Sequence, residues 1–168
     1  DTLSLHDALP ISAIMVEDQR YRQMIDSVER KFGRESAEMN SLWMIMGRTD
    51  TINTIRVKQV LDTYGWLGIK AVGDAGNSAL FLVIQHAGIE DQEKYLPMMR
   101  EAVKNGNAQG SSLALLEDRV LMRNGKKQIY GSQIVSDPDT GELNLFPIED
   151  VDHVDELRAS VGLGQSQA

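Results

Sequence analysis

The sequence predicts a mainly α-helical (α+β) protein, an antiparallel helical bundle that ends in a β-hairpin. Two observations carry this prediction. Apolar residues recur at intervals of three and four over most of residues 13–123, which is the period of an amphipathic helix. After the Asn124-Gly125 pair the period changes, and two short runs of strand-forming residues flank a turn rich in Asp, Pro and Gly.

The first half of the chain has the pattern of three helices. Periodicity predicts them over residues 13–32, 35–46 and 51–64, and a glycine directly follows each one. Glycine ends helices because it adopts the backbone conformations of a C-cap without a steric penalty. We therefore expect three separate helices that pack side by side.

Three further helices follow in the second half. The first, residues 74–87, begins at Asp74, a favourable N-cap residue. The second, residues 90–105, contains Pro97, which lacks a backbone N–H and should break or kink the helix. Residues 111–123 form another amphipathic pattern.

The C-terminal part predicts the hairpin. Residues 128–135 alternate as a strand, residues 137–141 form a turn, and residues 142–146 return as the second strand. Residues 151–161 fit a last short helix, and residues 164–168 are expected to be a frayed tail.

Residues 1–12 are set apart from the fold. They resemble translated sequencing-adapter sequence at the ends of reading frames from metagenomic assemblies, and a short disordered arm is the alternative. We therefore expect a single domain at residues 13–163, a size at which a chain buries well over half of its surface. The sequence favours a cytoplasmic location. The alternative is a protein exported by a signal that preceded residues 1–12 and is missing from this sequence.

Composition disfavours several classes of function. The net charge of −8 and the pI near 4.8 leave no basic surplus for a phosphate backbone, so we expect no nucleic-acid partner. The longest apolar run, residues 79–84, is too short to span a membrane. The chain has no cysteine and no close pair of candidate histidine ligands, so neither a metal nor another cofactor is predicted. Composition indicates no oligomeric state.

Polar residues interrupt apolar stretches in the second half. His86 would share a helix face with apolar neighbours, and Asp118 also borders an apolar face. A buried carboxylate without a partner is strongly destabilising, by several kcal/mol. Asp118 therefore needs a partner, such as Arg119, His86 or a group of the hairpin.

The ordered polar groups resemble the signature of a bacterial family of unknown function. The resemblance covers about residues 15–163, and it implies no particular reaction. The matching groups are Asp18-Gln19 with Arg22, Asp50 with Asn53, Gly65-Trp66, Val72-Gly73, Gln85-His86-Ala87, Leu116-Glu117-Asp118-Arg119-Val120, Gln128-Ile129-Tyr130-Gly131-Ser132-Gln133, Val154-Asp155 and Arg158. Two positions depart from the pattern, because Gly88 stands where the family has Asp and Ser132 where it has Thr.

These residues favour an enzyme that acts by general acid–base chemistry on a small polar or anionic substrate. His86 would be the acid or base, because imidazole titrates near neutral pH, and Asp118 would orient it. The residues expected to bind the substrate are Arg119, Gln128, Tyr130, Gln133, Asp18, Gln19 and Arg22.

Two other interpretations compete with the enzyme. The protein could be a non-catalytic helical module that binds a peptide or small ligand, with the polar residues forming a satisfied structural network. Alternatively, the hairpin edges could form an oligomer contact. Individual pairs also have ordinary explanations, since Asp18 and Arg22 have the spacing of a helix ion pair, and Asp50 and Asn53 fit a helix N-cap region.

Overall fold

The computed structural model describes residues 11–137 and 139–165. Within these residues the chain forms seven helices and a two-stranded antiparallel sheet, so the predicted mainly α fold with a C-terminal β-hairpin is confirmed. The chain divides into two compact units, the first ending at Ala87 and the second beginning at Gly88. The expected single domain at residues 13–163 stays a prediction.

All secondary-structure elements described in the first unit are helices. The four helices are α1 (Ile11–Arg22), α2 (Ile25–Phe32), α3 (Ala37–Tyr64) and α4 (Ile69–His86). α1 packs against α3 and α4, α3 also packs against α4, and α2 packs against α3.

Two ion pairs set the direction of α1 relative to α3. Arg22 Nη2 lies 2.9 Å from Asp50 Oδ2, and Arg56 Nη1 lies 2.8 Å from Glu17 Oε2. Moving back along α1 from Arg22 to Glu17 therefore corresponds to moving forward along α3 from Asp50 to Arg56. The two helices run antiparallel, as predicted for the bundle.

Helix boundaries in the first half differ from the prediction in two places. The helix expected over residues 13–32 is divided, because the N–H of Met24 bonds to the carbonyl three residues back and tightens the last turn of α1. The helices expected over residues 35–46 and 51–64 are one helix, α3, which begins where Ser36 Oγ accepts the N–H of Met39. Gly47 does not end it, because an isolated glycine only weakens a helix.

The start of the fourth helix agrees in part with the prediction. α4 begins at Ile69 but contains a kink at Gly73, where φ is +70° and ψ is 173°. This conformation is accessible to glycine and strained for other residues. The straight helical segment therefore starts beside Asp74, as expected.

The ends of the chain lie partly outside the described residues. α1 begins at Ile11, which is two residues inside the arm expected at residues 1–12, and Ile11 is buried. Residues 1–10 and residues 166–168 of the expected tail lie outside the described part. No helix in the described ranges is long and apolar enough to span a membrane.

The second unit combines three helices with the hairpin. The elements are α5 (Ile89–Lys104), α6 (Gly110–Arg123), β1 (Ile134–Ser136), β2 (Leu143–Leu145) and α7 (Val154–Ser160). α5 packs against α6, and the strands β1 and β2 pair with Ile134 opposite Leu145.

Two predictions for this unit were wrong. Pro97 does not break α5, because buried Tyr95 and Met99 anchor the helix on both sides of it. The strand expected over residues 128–135 is confined to its last residues and reaches Ser136. The segment 128–133 is instead a loop, in which only Gln128 forms a bridge, parallel to Ile148.

Candidate functional site

The predicted site residues fall into two clusters, one in each unit. The histidine cluster, in the first unit, consists of the predicted residues Asp18, Gln19, Arg22 and His86, together with Asp50, which pairs with Arg22. The loop cluster, in the second unit, consists of Asp118, Arg119, Gln128, Tyr130 and Gln133.

In the histidine cluster, His86 is paired with a carboxylate of α1. Its Nδ1 lies 3.2 Å from Asp18 Oδ1. The Asp18 side chain is 1% exposed and that of His86 is 21% exposed. The pair therefore has a buried carboxylate end and a partly accessible imidazole end.

This contact determines the tautomer of His86. A carboxylate can only accept a hydrogen bond, so the Nδ1 atom must carry the proton. In the neutral imidazole, Nε2 then holds the lone pair. Among residues 11–137 and 139–165, no group forms a hydrogen bond with Nε2. Nε2 is thus the ring nitrogen of His86 that can exchange a proton with another molecule.

The electrostatic environment keeps Asp18 ionised. Burial alone would raise the pKa of its carboxyl group, but the hydrogen bond from His86 and the charges of His86 and Arg22 together lower the pKa by more than burial raises it. Gln19 Nε2 adds a hydrogen bond of 2.7 Å to Asp18 Oδ2. The net effect is a pKa below the ordinary value, so Asp18 is a carboxylate at neutral pH.

Arg22 joins this pair to α3. Its Nη1 donates to the backbone carbonyl of Asp18 at 2.7 Å and lies 3.4 Å from Asp18 Oδ1. Its Nη2 lies 2.9 Å from both carboxylate oxygens of Asp50. One guanidinium therefore serves two carboxylates, and the cluster carries a net negative charge when His86 is neutral.

Asn53 is a polar residue of the same region that sequence reasoning did not select. It is 0% exposed, and neither Nδ2 nor Oδ1 has a hydrogen-bond partner in the described part of the chain. Each buried polar group left without a partner costs roughly 1–3 kcal/mol. Asn53 was explained from sequence as part of a helix N-cap region, but it lies in the interior of α3.

The loop cluster is organised by Asp118, which is 0% exposed. Asp118 Oδ1 accepts the N–H groups of Ile129 and Tyr130 at 2.7 and 3.0 Å. Asp118 Oδ2 accepts the N–H of Ser132 at 3.0 Å. One carboxylate therefore fixes the backbone of the loop that precedes β1, which is the hairpin-group partner foreseen among the alternatives for Asp118.

Gln128 closes the same loop from its other side. Its Oε1 accepts the N–H of Gln133 at 2.8 Å, and its Nε2 donates to the carbonyls of Gln133 and Phe146. Both amide hydrogens of this fully buried side chain are thereby used. Gln128 acts as a backbone brace in this structure.

Gln133 and Arg119 extend the network along α6. Arg119 Nε donates to Gln133 Oε1 at 3.0 Å, and Gln133 Nε2 donates to Ser132 Oγ at 2.9 Å. Burial lowers the pKa of the Arg119 guanidinium, and the charge of Arg123 lowers it further. From the C-terminal side, Arg158 Nη1 donates to the Tyr130 carbonyl at 2.6 Å.

Tyr130 is the loop residue whose side chain faces a charged pair. Burial raises the pKa of its hydroxyl group, and the charges of Glu117 and Asp118 raise it further. Glu117 is itself bound by Arg100, whose Nε lies 2.7 Å from Glu117 Oε1. Tyr130 is therefore a neutral hydrogen-bonding group at physiological pH.

The two predicted catalytic residues belong to different clusters, His86 to the histidine cluster and Asp118 to the loop cluster. The carboxylate found beside His86 is Asp18, which sequence reasoning assigned to substrate binding. The available signal was its position four residues before Arg22 on the buried side of an amphipathic helix. The pairing of His86 with Asp118 stays a prediction.

A metal site receives no support from the described residues, which contain no group of three or more His, Asp or Glu side chains placed to hold an ion.

Comparison with the curated proteins and with the solved structures found no match. The sequence pattern of one protein family matches residues 8–167, almost the full length. The chain belongs to this family of unknown function, DUF6624.

Proposed function

We propose that the first unit carries an enzyme site in which His86 is the general acid and base. The observation that supports it best is the contact of His86 Nδ1 with the buried carboxylate of Asp18 at 3.2 Å. This contact leaves Nε2 as the reactive nitrogen on a partly exposed ring. A carboxylate, an oriented imidazole and an unengaged nitrogen are the parts that acid–base catalysis by histidine requires.

In the proposed mechanism Nε2 removes a proton from a bound substrate or from water and later returns it. The imidazolium formed in between is stabilised by Asp18, whose negative charge lies on the opposite side of the ring. Asp18 is thus a positioning residue that stays ionised throughout. Arg22 and Gln19 hold Asp18 in place and keep its pKa low.

The charges of the cluster favour a small polar substrate over an anionic one. Arg22, which sequence reasoning assigned to substrate binding, is shared between Asp18 and Asp50. An added anion would face two carboxylates and one guanidinium that is already engaged. In the second unit, substrate contacts of Arg119, Gln128, Tyr130 and Gln133 stay predictions.

One observation favours the alternative, a module that binds a peptide or small ligand. An open groove of about 410 Å³ lies in the first unit, with mostly apolar walls. Its lining residues are Tyr21, Met24, Val28, Ala37, Glu38, Ser41, Leu42 and Ile45. Such a groove can hold an apolar side chain without any chemistry.

Two measurements test the enzyme proposal. Carbethoxylation by diethyl pyrocarbonate, located by mass spectrometry, reports the nucleophilicity of each histidine without a substrate. A panel of ester, amide, phosphoester and glycoside substrates reports turnover. We expect fast modification of His86, and a turnover that falls about 10² to 10⁴-fold in His86→Ala and roughly tenfold or more in Asp18→Asn.

His153 provides the matched control, because it also contacts an aspartate, Asp150 at 2.9 Å, but on the exposed surface. His153→Ala should keep the turnover of the wild type. The enzyme proposal is wrong if a folded His86→Ala protein keeps it, or if the panel shows no turnover and His86 reacts no faster than His153. Binding that is lost in Ile45→Arg and kept in His86→Ala would support the module instead.

A further inference from the structure

Asn53 lies at the same height in the bundle as the Asp18–His86 pair. The ion pairs Arg22–Asp50 and Arg56–Glu17 join α1 to α3 on either side of it. Asn53 is three residues from each α3 partner, about 4.5 Å along the helix axis. The corresponding stretch of α1, between Glu17 and Arg22, contains Asp18.

The orientation of α3 directs Asn53 toward the interior. Residues three and four apart share one side of a helix, and Asn53 shares its side with Val57, which is also fully buried. The interior at this height is where α1 and α4 meet, because Asp18 of α1 contacts His86 of α4. Asn53 therefore belongs to the same layer as the proposed catalytic pair.

The carboxamide of Asn53 is held there at a cost. Both of its polar atoms are buried without a hydrogen-bond partner among the described residues. A leucine has nearly the same shape and would avoid the loss of hydration, so packing alone gives no reason for an asparagine at this position. A buried polar group of this kind requires an explanation, and a ligand is one.

We propose that Asn53 binds an uncharged amide-type group of the ligand that occupies the histidine site. This inference rests on the proposed function and specifies its substrate class. A carboxamide offers one acceptor and two donor hydrogens, so it pairs through two hydrogen bonds with another amide. A carboxylate ligand could not donate and would face Asp18 and Asp50, while an ammonium ligand could not accept.

Access to this group requires local opening, because Asn53 is completely buried. The partly exposed imidazole of His86 marks the accessible side of the layer. A small ligand would bind His86 and Asn53 from this side.

Three small probes of different charge test the substrate class. Acetamide, acetate and methylammonium are titrated into the isotope-labelled full chain, and NMR shifts of the Asn53 side-chain NH₂ and the His86 ring are followed. We expect saturable shifts with acetamide alone, and binding at least tenfold weaker in Asn53→Leu. Absence of a saturable acetamide shift, or equal shifts with acetate, would overturn the proposal.

Thermal unfolding supplies the second readout, with Asn40→Leu as control because Asn40 is exposed on the same helix. Asn53→Leu should unfold at the wild-type midpoint or higher. A midpoint lowered by roughly 4 °C or more would show that Asn53 has a structural role and would overturn the proposal. Carbethoxylation of His86 in the wild type tests the acid–base proposal separately, so the two can fail independently.

Discussion

Each polar cluster contains a buried aspartate, Asp18 in one and Asp118 in the other, but the clusters differ in how completely their hydrogen bonds are made. In the loop cluster, Asp118 and Gln128 use their polar side-chain atoms on the backbone of the loop before β1, and Gln128 also bonds to the carbonyl of Phe146 after β2. In the histidine cluster, Nε2 of His86 is unengaged, and neighbouring Asn53 has no partner among the described residues. The comparison teaches that burial of a polar residue indicates structure when its partners are complete and function when they are not.

The largest loss of stability is expected for a substitution in the loop cluster. Asp118→Asn replaces an acceptor of three backbone N–H groups by an amide that presents its own hydrogens to them. We expect the free energy of unfolding to fall by about 3 kcal/mol or more, which lowers the thermal midpoint by roughly 6 to 12 °C. Thermal and denaturant unfolding measure it.

Asp152→Asn is the control for this variant, because it removes the same charge from an exposed position of the second unit. Its unfolding should match that of the wild type. If Asp118→Asn also unfolds as the wild type does, the loop cluster is not structural and the distinction between the clusters fails.

An intermediate effect is expected for Asp18→Asn, with a defined pH dependence. The folded pKa of Asp18 is lowered, so its charge stabilises the fold above the unfolded pKa of about 3.9, and this contribution is lost as pH falls through the folded pKa. The variant should be about 1 kcal/mol less stable near neutral pH. The difference should shrink below about pH 4.

Urea unfolding of both proteins between pH 2.5 and pH 7 measures this difference. A constant difference over that range would show that the Asp18 charge has no part in stability. A loss as large as that of Asp118→Asn would place the histidine cluster with the structural one.

The smallest effect is expected for the ion pair beside Asn53. Arg56→Gln removes the partner of Glu17, and both side chains are about a third exposed or more. Exposed pairs contribute little, so the free energy of unfolding should change by about 0.2–0.5 kcal/mol. Equilibrium unfolding at low and high salt measures it, and a change above about 1 kcal/mol would mean that this pair holds α1 against α3.

Much of the fold was predictable because amphipathic periodicity reports which side of a helix is buried. The errors lie where tertiary packing overrides a local signal. Pro97 is kept inside α5 by buried residues on both sides. Gly47 lies in the interior of α3, which continues for more than two turns on either side of it. Loop 128–133 alternates like a strand in sequence, but Asp118, from another element, supplies its hydrogen bonds.

The residues of the candidate site were more predictable than their partners. Spacing placed His86 and Asp118 on apolar faces, and both are mostly or fully buried. Spacing could not show that Asp18, 68 positions earlier, supplies the carboxylate for His86, because that depends on how α1 packs against α4. Asn53 was named in the sequence but explained as part of a helix N-cap region, because an unsatisfied amide is visible only once its neighbours are known.

The hydrogen bonds of Asp118 leave the loop unusual freedom in sequence. The carboxylate contacts only main-chain N–H groups, which every residue except proline possesses, so it does not select the side chains at positions 129, 130 and 132. Gly131 is the exception, because its φ is +63° and an added Cβ would lie 2.8 Å from Ile148 Cδ1. The shape of the loop is thus set by Asp118, by the Gln128 side chain and by Gly131, and the Asp118 carboxylate itself does not restrict the side chains at positions 129, 130 and 132.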